Sequence, residues 1–374
     1  MSAHSFLPPS GAKAWRKCAA WPSMNKNYPR EDTESSKEGT AAHWVAWAVL
    51  WEQPISAGME APNGTLVTDE MLDGADMLVD EIRRQFPDGL MQVEQTLQIP
   101  SIHQDCFGTP DVWGFDAKKR ILRCIDYKFG HRYVDEYENE QGICYIEGAM
   151  IQLAEKLDIG IGRLDQMITV EFTVVQPRCF YKGKPIRTWS FNGADMRGLV
   201  NDLHRAAELA YEPEPTMTTN SECGDCSGRH VCPAFQKAIY SDMEMSEKSL
   251  PFDIPPAAAS LELALLERAM KRMEGRVGGL REVVLANIKS GLPAPFHAAE
   301  QTYGHQRWTL PDDQIIAIGQ MYGKSLSKPG TLTPSQAIKL GVDESVIKAY
   351  SVTPSSGVKL VPFDNKDVSR IFKE

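Results

Sequence analysis

The stretch Gly108-Thr109-Pro110-Asp111-Val112-Trp113-Gly114-Phe115, followed by Ile121-Leu122-Arg123-Cys124-Ile125-Asp126-Tyr127-Lys128, decides how this chain is read. The two apolar runs flank Asp116-Ala117-Lys118-Lys119-Arg120, a polar turn, so the pattern is that of a tight β-hairpin. With Lys118 and Lys119 as the loop residues, counting back pairs 117 with 120 and, at the far end, 111 with 126. Asp111 and Asp126 then face each other across the strands, with Cβ atoms ~5 Å apart. Lys128, two residues beyond Asp126, projects from the same face. Two carboxylates this close repel each other unless a cation lies between them. A hard divalent ion with oxygen ligands is the natural occupant. The lysine can then orient or deprotonate a metal-bound water, or stabilise charge developing at phosphorus. A surface hairpin with a salt bridge has the same signature, and a lone D…DxK is more often that.

Neighbouring segments extend the pattern. Upstream, Glu38-Gly39-Thr40-Ala41-Ala42-His43 opens a helical stretch reaching about Trp51, with Ser35 and Glu38 spaced as a capping box. His43 is then one turn into the helix, beside Trp44 and Trp47. Taken alone, such a histidine is more often a packed core residue than a ligand. Downstream, Gln141 and Tyr145 are spaced i, i+4 on the next expected helix and share one face; alone, they too read as packing. The order is helix with His, strand with Asp, strand with Asp-x-Lys, helix with Gln-x3-Tyr. In that order the chain resembles the RecB-like branch of the PD-(D/E)XK nuclease superfamily. The resemblance implies an α/β core with a central mixed sheet flanked by helices. It implies Asp111, Asp126 and Lys128 as catalytic residues, and Mg²⁺ or Mn²⁺ held by Asp111, Asp126, His43 and the Tyr127 carbonyl. Gln141 and Tyr145 would contact the DNA backbone near the scissile phosphate. Many relatives carry Glu where this chain has Asp126; either residue ligates a metal.

The eight cysteines divide into two kinds. Cys106, Cys124, Cys144 and Cys179 lie in apolar contexts and read as small buried hydrophobes. Cys223, Cys226 and Cys232 form C-x2-C-x5-C in a loop with little apolar content, and Cys18 lies far upstream. Four thiolates can hold an iron–sulfur cluster. A local zinc site of Cys223, Cys226, Cys232 and His230 is the rival, and spacing alone favours it. One N-terminal cysteine plus a C-terminal C-x2-C-x5-C-P, bracketing the nuclease motifs, is similar to the iron–sulfur nucleases of the Cas4 and AddB kind. That likeness implies a 4Fe–4S cluster on Cys18, Cys223, Cys226 and Cys232, stapling the two ends of the domain together. Trp15-x2-Cys18, Gly108-Thr-Pro-Asp111, Asp126-Tyr-Lys128-Phe-Gly130, Gln176-Pro-Arg178, Thr333-Pro-Ser-Gln336 and Lys359-Leu-Val-Pro362 resemble a phage and prophage branch of this group. So read, the chain is a nuclease, with exonuclease action on DNA ends in phage replication or recombination. The alternatives are a nuclease-fold protein that binds single-stranded DNA or a recombinase, and a structure-specific endonuclease. DNA, as duplex ends or single strands, is the expected partner, alongside a phage recombinase or single-stranded DNA-binding protein.

Composition agrees with a water-soluble protein of a reducing compartment, the cytoplasm of a bacterial host. The chain has 374 residues and 42% hydrophobic content, enough for a sizeable core. No stretch reaches membrane-spanning length, there is no signal-peptide pattern, and the thiols look unpaired. The net charge of −10 is unusual for a DNA binder. Basic residues cluster, however, at Lys118, Lys119, Arg120 and Arg123, and again at Arg178, Lys182, Lys184 and Arg187, and could form two walls of a groove.

Along the chain, residues 67–86 read as an acidic amphipathic helix and Met91 to Ile99 as a first strand, on which Glu94 could add a carboxylate. Residues 138–157 carry the Gln141/Tyr145 helix, Met167 to Gln176 a buried strand, and residues 193–211 a helix leading to the cysteine loop. Domain organisation follows as a nuclease domain over 1–245, a proline-containing linker over 246–259 and a mainly helical region over 260–374. The last opens with a long helix from Leu261 to Ser290. Gln306 to Leu310 is a short strand candidate, and residues 333–351 suggest two short helices. These fit a packing element better than a helix-turn-helix reader, since Lys348 alone offers little to read bases.

Overall fold

Strand β5 (Ile121–Tyr127) lies at the middle of a five-stranded sheet and is buried almost end to end. Its side chains alternate between two cores, as the period of two in a strand requires. Leu122 and Cys124 enter one core with Val170, Phe172 and Val174 of β6 (Thr169–Val175). Ile125 and Tyr127 enter the other with Val112 of β4 (Val112–Asp116). The first core is covered by α1 (Ala12–Trp15), α5 (Glu140–Leu157) and α7 (Arg197–Ala210). The second is covered by α3 (Glu34–Leu50) and α4 (Asp69–Gln85). The result is a mixed α/β protein, a sheet between two helical layers. It is seen in a computed structural model that describes residues 5–29, 32–180, 184–246 and 255–299.

The sheet order is β1-β4-β5-β6-β7, with β1 (Gln92–Val93) and β7 (Ile186–Asn192) at its edges. β4 runs antiparallel to β5, with Val112 opposite Ile125 and Asp116 opposite Ile121. This is the register expected from the sequence, and its continuation puts position 111 opposite 126. The turn is held by Asp116, whose Oδ1 accepts the Lys118 and Lys119 amides at 3.1 and 3.0 Å. β5 and β6 are parallel, so the chain must cross over between them, and α5 is the crossover. Asn139 starts α5 by accepting the Gly142 amide at 2.9 Å. In α4, Met71, Ala75, Leu78 and Ile82 recur at helical spacing on the buried face. Thr68 caps its first turn at the Met71 amide, 3.2 Å.

Two local expectations fail. Residues 91–99 do not make one strand. Glu94 adopts a left-handed φ of 48°, which ends extended pairing after β1. The chain resumes as β2 (Leu97–Gln98), which pairs with β3 (Phe107–Gly108) in a separate two-stranded sheet. Helix α3 also begins two residues earlier than Ser35 and Glu38 suggested. Thr33 is its cap, accepting the Ser36 amide at 3.2 Å. His43 is therefore near the middle of α3, and Glu38 is free for another role.

The described residues up to 287 form one compact unit, and those from 288 to 299 belong to a second. Within the first, α2 (Trp21–Asn27) packs beside the cysteine loop, and α8 (Pro233–Ser246) follows it. The long helix expected from Leu261 is α9 (Pro256–Lys289). It is tied to the cysteine loop by Arg229, which donates to Gly275 O at 3.0 Å and Glu282 at 2.6 Å. The strand candidate at 306–310, the helices expected within 333–351, the motifs at 333–336 and 359–362 and most of the linker over 246–259 lie outside the described residues. Among the described residues no helix is long and apolar enough to cross a membrane.

Candidate functional site

The four polar groups singled out on the hairpin and α3 meet at one end of β5. Asp111 lies just before β4. Its Oδ2 accepts the Tyr127 amide at 2.6 Å, and its Oδ1 lies 3.1 Å from His43 Nδ1. Asp126, with a side chain only 3% exposed, is paired with Lys128 Nζ at 2.9 Å. Lys128 also donates to Gln141 Oε1 at 3.2 Å, and Gln141 Nε2 donates to the Tyr145 hydroxyl at 3.0 Å. Thus β4's leading edge, β5, α3 and α5 each deliver one part of a connected network. Tyr127 itself turns its ring into the second core, where it packs edge-on to His43 at 5.1 Å between ring centroids.

Burial and charge pull on these groups in opposite directions. Burial pushes the Asp126 carboxyl up; Lys128 offsets part of this, while Asp111 adds to it, and the net shift is upward. Burial also acts on Asp111, but the neighbouring His43, Lys128 and the Tyr127 amide outweigh it and hold this carboxyl below its usual value. Burial alone would discharge His43, yet Asp111 keeps the imidazole above its ordinary value. Lys128 is likewise raised despite burial, because Asp126 and Asp111 face it. The two aspartates are therefore unequal: Asp111 is held ionised and Asp126 is the easier one to protonate.

Two carboxylates and an imidazole on adjacent elements are donors suited to a hard divalent ion with some tolerance for nitrogen. Among the described residues, no group of three or more His, Cys, Asp and Glu side chains is already arranged as a metal site. Glu94 is close by along the backbone, donating its amide to Asp111 O at 3.0 Å, but its carboxylate accepts the Trp47 indole at 2.7 Å. Gly108 opens the motif because of a close approach. A Cβ there would lie 2.6 Å from Pro9 and 3.0 Å from the Tyr145 ring.

The cysteines separate as their contexts suggested. Cys106, Cys124, Cys144 and Cys179 are buried. Cys18, Cys223, Cys226 and Cys232 line one cleft, together with Trp21, Met24 and Phe235. His230 is not among the lining residues; its Nδ1 lies 3.2 Å from Ser227 O and its ring packs edge-on to Tyr28. Burial, with the other three sulfurs nearby, pushes the Cys226 thiol up to about 11. Cys18 comes from the turn after α1, roughly two hundred residues from its neighbours in the cleft.

Among the described residues, the arginines of the basic clusters do not make groove walls at this site. Arg123 is buried and paired with Glu171 at 2.7 Å. Lys118, Lys119 and Arg120 are exposed at the turn, at the opposite end of the hairpin from Asp111 and Asp126, ~17 Å away at strand rise. Arg187 is buried against Glu136 and Gln176. Arg178 is spent on Glu38 and Glu70. Lys182 lies outside the described residues. In the sequence Glu38 reads only as part of a helix cap and Arg178 only as part of a basic cluster; the one signal for Gln176 beside Arg178 is the Gln-Pro-Arg tripeptide directly after a buried strand.

No curated protein matches the chain. Among solved structures it is similar to a crystal structure from Eubacterium rectale named "Putative exonuclease", at 12% identity and a TM-score of 0.31, covering 67% of this chain and 91% of the other. Over residues 4–295 the sequence matches the DUF2800 family, described as a protein of unknown function. That span is most of the chain, and the protein belongs to the DUF2800 family.

Proposed function

We propose that this protein is a divalent-metal-dependent deoxyribonuclease of the PD-(D/E)XK type, acting as an exonuclease on DNA ends. The observation that carries the reading is the convergence from four separate elements of two bonded sets, His43–Asp111 and Asp126–Lys128–Gln141, which meet where Asp111 accepts the Tyr127 amide. A packing role would not require a buried and a half-buried carboxylate with a lysine and an imidazole set against them, because burying charge is costly. Asp111, Asp126, His43 and the Tyr127 carbonyl would hold Mg²⁺ or Mn²⁺. The bound ion supplies Lewis-acid polarisation of the phosphate and a lowered pKa for water. Lys128, already aimed at Asp126, then positions the attacking water and stabilises negative charge as it develops. Gln141 and Tyr145, one turn apart on α5, orient the phosphate backbone.

The same reading assigns Cys18, Cys223, Cys226 and Cys232 to a 4Fe–4S cluster. The support is that Cys18 lines the cleft and His230 does not; four soft thiol donors suit iron–sulfur chemistry. Single-stranded DNA binding without cleavage, and structure-specific endonuclease action, remain the competing readings. Purified protein with Mg²⁺ or Mn²⁺ should degrade end-labelled linear DNA and spare closed circles, and a chelator should stop it. Cleavage of circles would favour the endonuclease; metal-independent DNA binding with no cleavage would favour the binding module.

A further inference from the structure

We infer that Arg178 is a positioning residue that sets His43 against Asp111 by clamping α3, an inference that rests on the metal-site reading above. Arg178 follows β6, whose end lies beside Lys128: the Lys128 amide donates to Val175 O at 2.9 Å. Gln176 fixes the base of the arginine. Its side-chain amide donates to Gly130 O and Arg132 O, each at 2.7 Å, and its oxygen accepts from Val134 N and Arg187. From that base the Arg178 guanidinium grips Glu38 of α3 with both Nη atoms, at 2.8 Å each, and reaches Glu70 at the start of α4 at 2.8 Å. It lies 3.9 Å from the centre of the Phe129 ring, the residue after Lys128. The arginine side chain is only 8% exposed.

This clamp has a specific task because it acts on the part of α3 before His43, where Asn63 also donates to Lys37 O at 2.7 Å; the part beyond His43 is held by Trp44, Trp47, Val49 and Leu50 against the second core and by the Trp47 indole on Glu94. The buried residues of α3 are Ala41, Ala42, Val45, Ala46 and Ala48. Such small side chains permit close approach but interlock poorly, so ahead of His43 the Arg178 contact supplies the directional hold that alanine packing lacks. A two-pronged arginine–carboxylate contact sets both distance and orientation. Glu38 lies five residues before His43, ~7.5 Å along the same helix. A shift of about 1 Å there would break the 3.1 Å approach of His43 to Asp111.

The test is Mn²⁺ binding by calorimetry on the metal-free full chain without DNA, for wild type, Arg178→Ala, His43→Ala and the double variant. Arg178→Ala should weaken binding about tenfold or more, the usual cost of removing a group that orients a metal ligand. Because Arg178 acts through His43, the double variant should bind no more weakly than His43→Ala alone. Arg178→Lys, which keeps the charge but loses the fork, should recover only part of the loss. Should Arg178→Ala fail to fold, Glu38→Gln carries the same cycle with a smaller effect. Arg178→Ala binding like wild type, or losses that multiply in the double variant, would overturn the clamp while leaving the metal site standing. Wild type that binds no Mn²⁺ would overturn the metal site itself, and the clamp with it.

Discussion

The hairpin cluster and the cysteine cleft are built from opposite materials. At the hairpin, Asp111, Asp126, Lys128 and His43 already have partners at 2.6 to 3.2 Å. At the cleft, the described partners of the sulfurs are backbone groups and one methionine at 3.3 to 4.0 Å: the Asn220 amide to Cys223 at 3.3 Å, the Thr218 amide to Cys18 at 3.5 Å, Cys18 to Thr216 O at 3.9 Å, Cys223 to Thr218 O and Cys232 to Met217 at 4.0 Å. Strand register and ion pairs shape the first site without help. The second brings together segments remote in sequence, tied around the sulfurs by Asn25 to Ser227 at 2.6 Å and by Lys13 and Lys17 to Glu222, and none of these bonds engages a sulfur. On the proposed reading the first site serves chemistry and the second serves the fold: removing groups from the first should cost activity, and from the second, stability.

The largest effect expected is on cleavage. Asp111→Ala, Asp126→Ala and Lys128→Ala should each reduce it by at least about 10²–10³-fold, with the metal-free protein still folded. A variant that loses its fold instead would erase the contrast between the two regions.

The cleft should behave the other way. Cys18→Ser should bleach anaerobically purified brown protein and lower its stability by about 4–5 kcal/mol, as for loss of a cross-link closing a long loop. His230→Ala should do neither. A colourless protein holding one zinc, with Cys18→Ser silent in iron content and melting temperature, would break the comparison on this side.

His43 sharpens it further. His43→Ala should weaken cleavage about tenfold and reduce the advantage of Mn²⁺ over Mg²⁺, since Mn²⁺ accepts nitrogen donors more readily. Its folded-state value is raised, so the protonated imidazole stabilises the metal-free protein. That contribution is full below the unfolded value of ~6.5 and is lost as pH rises through the raised folded value. The ion, by contrast, needs the neutral ring, so metal affinity should rise over the same window while metal-free stability falls. Melting curves and Mn²⁺ titrations across that window check both slopes; a His43→Ala protein with the same slopes would contradict the assignment. The smallest effect belongs to Tyr145→Phe. Loss of its hydroxyl should weaken DNA binding about fivefold, the worth of one hydrogen bond, and leave Mn²⁺ affinity unchanged.

Legibility in the sequence followed the range of the interactions. The 111-to-126 alignment was readable because a short polar turn fixes hairpin register. The Gln141/Tyr145 face was readable from helical spacing. Glu94 was not, since its left-handed backbone goes with a bond to Asp111 O and a side-chain contact from Trp47, both remote. The basic residues misled for a related reason: Arg178 finds Glu38 140 positions away, so a local cluster of charge concealed pairs that neutralise it. Spacing alone likewise favoured His230 over Cys18, and only the folding of α1 beside the cysteine loop brings Cys18 to the cleft.

The most direct measurement is release of label from end-labelled linear duplex DNA by wild type and Asp126→Ala, each with Mn²⁺ and with chelator, at matched fold content. Metal-dependent release by wild type alone is the result this account predicts. Equal release by folded Asp126→Ala, or release by wild type in chelator, would contradict it.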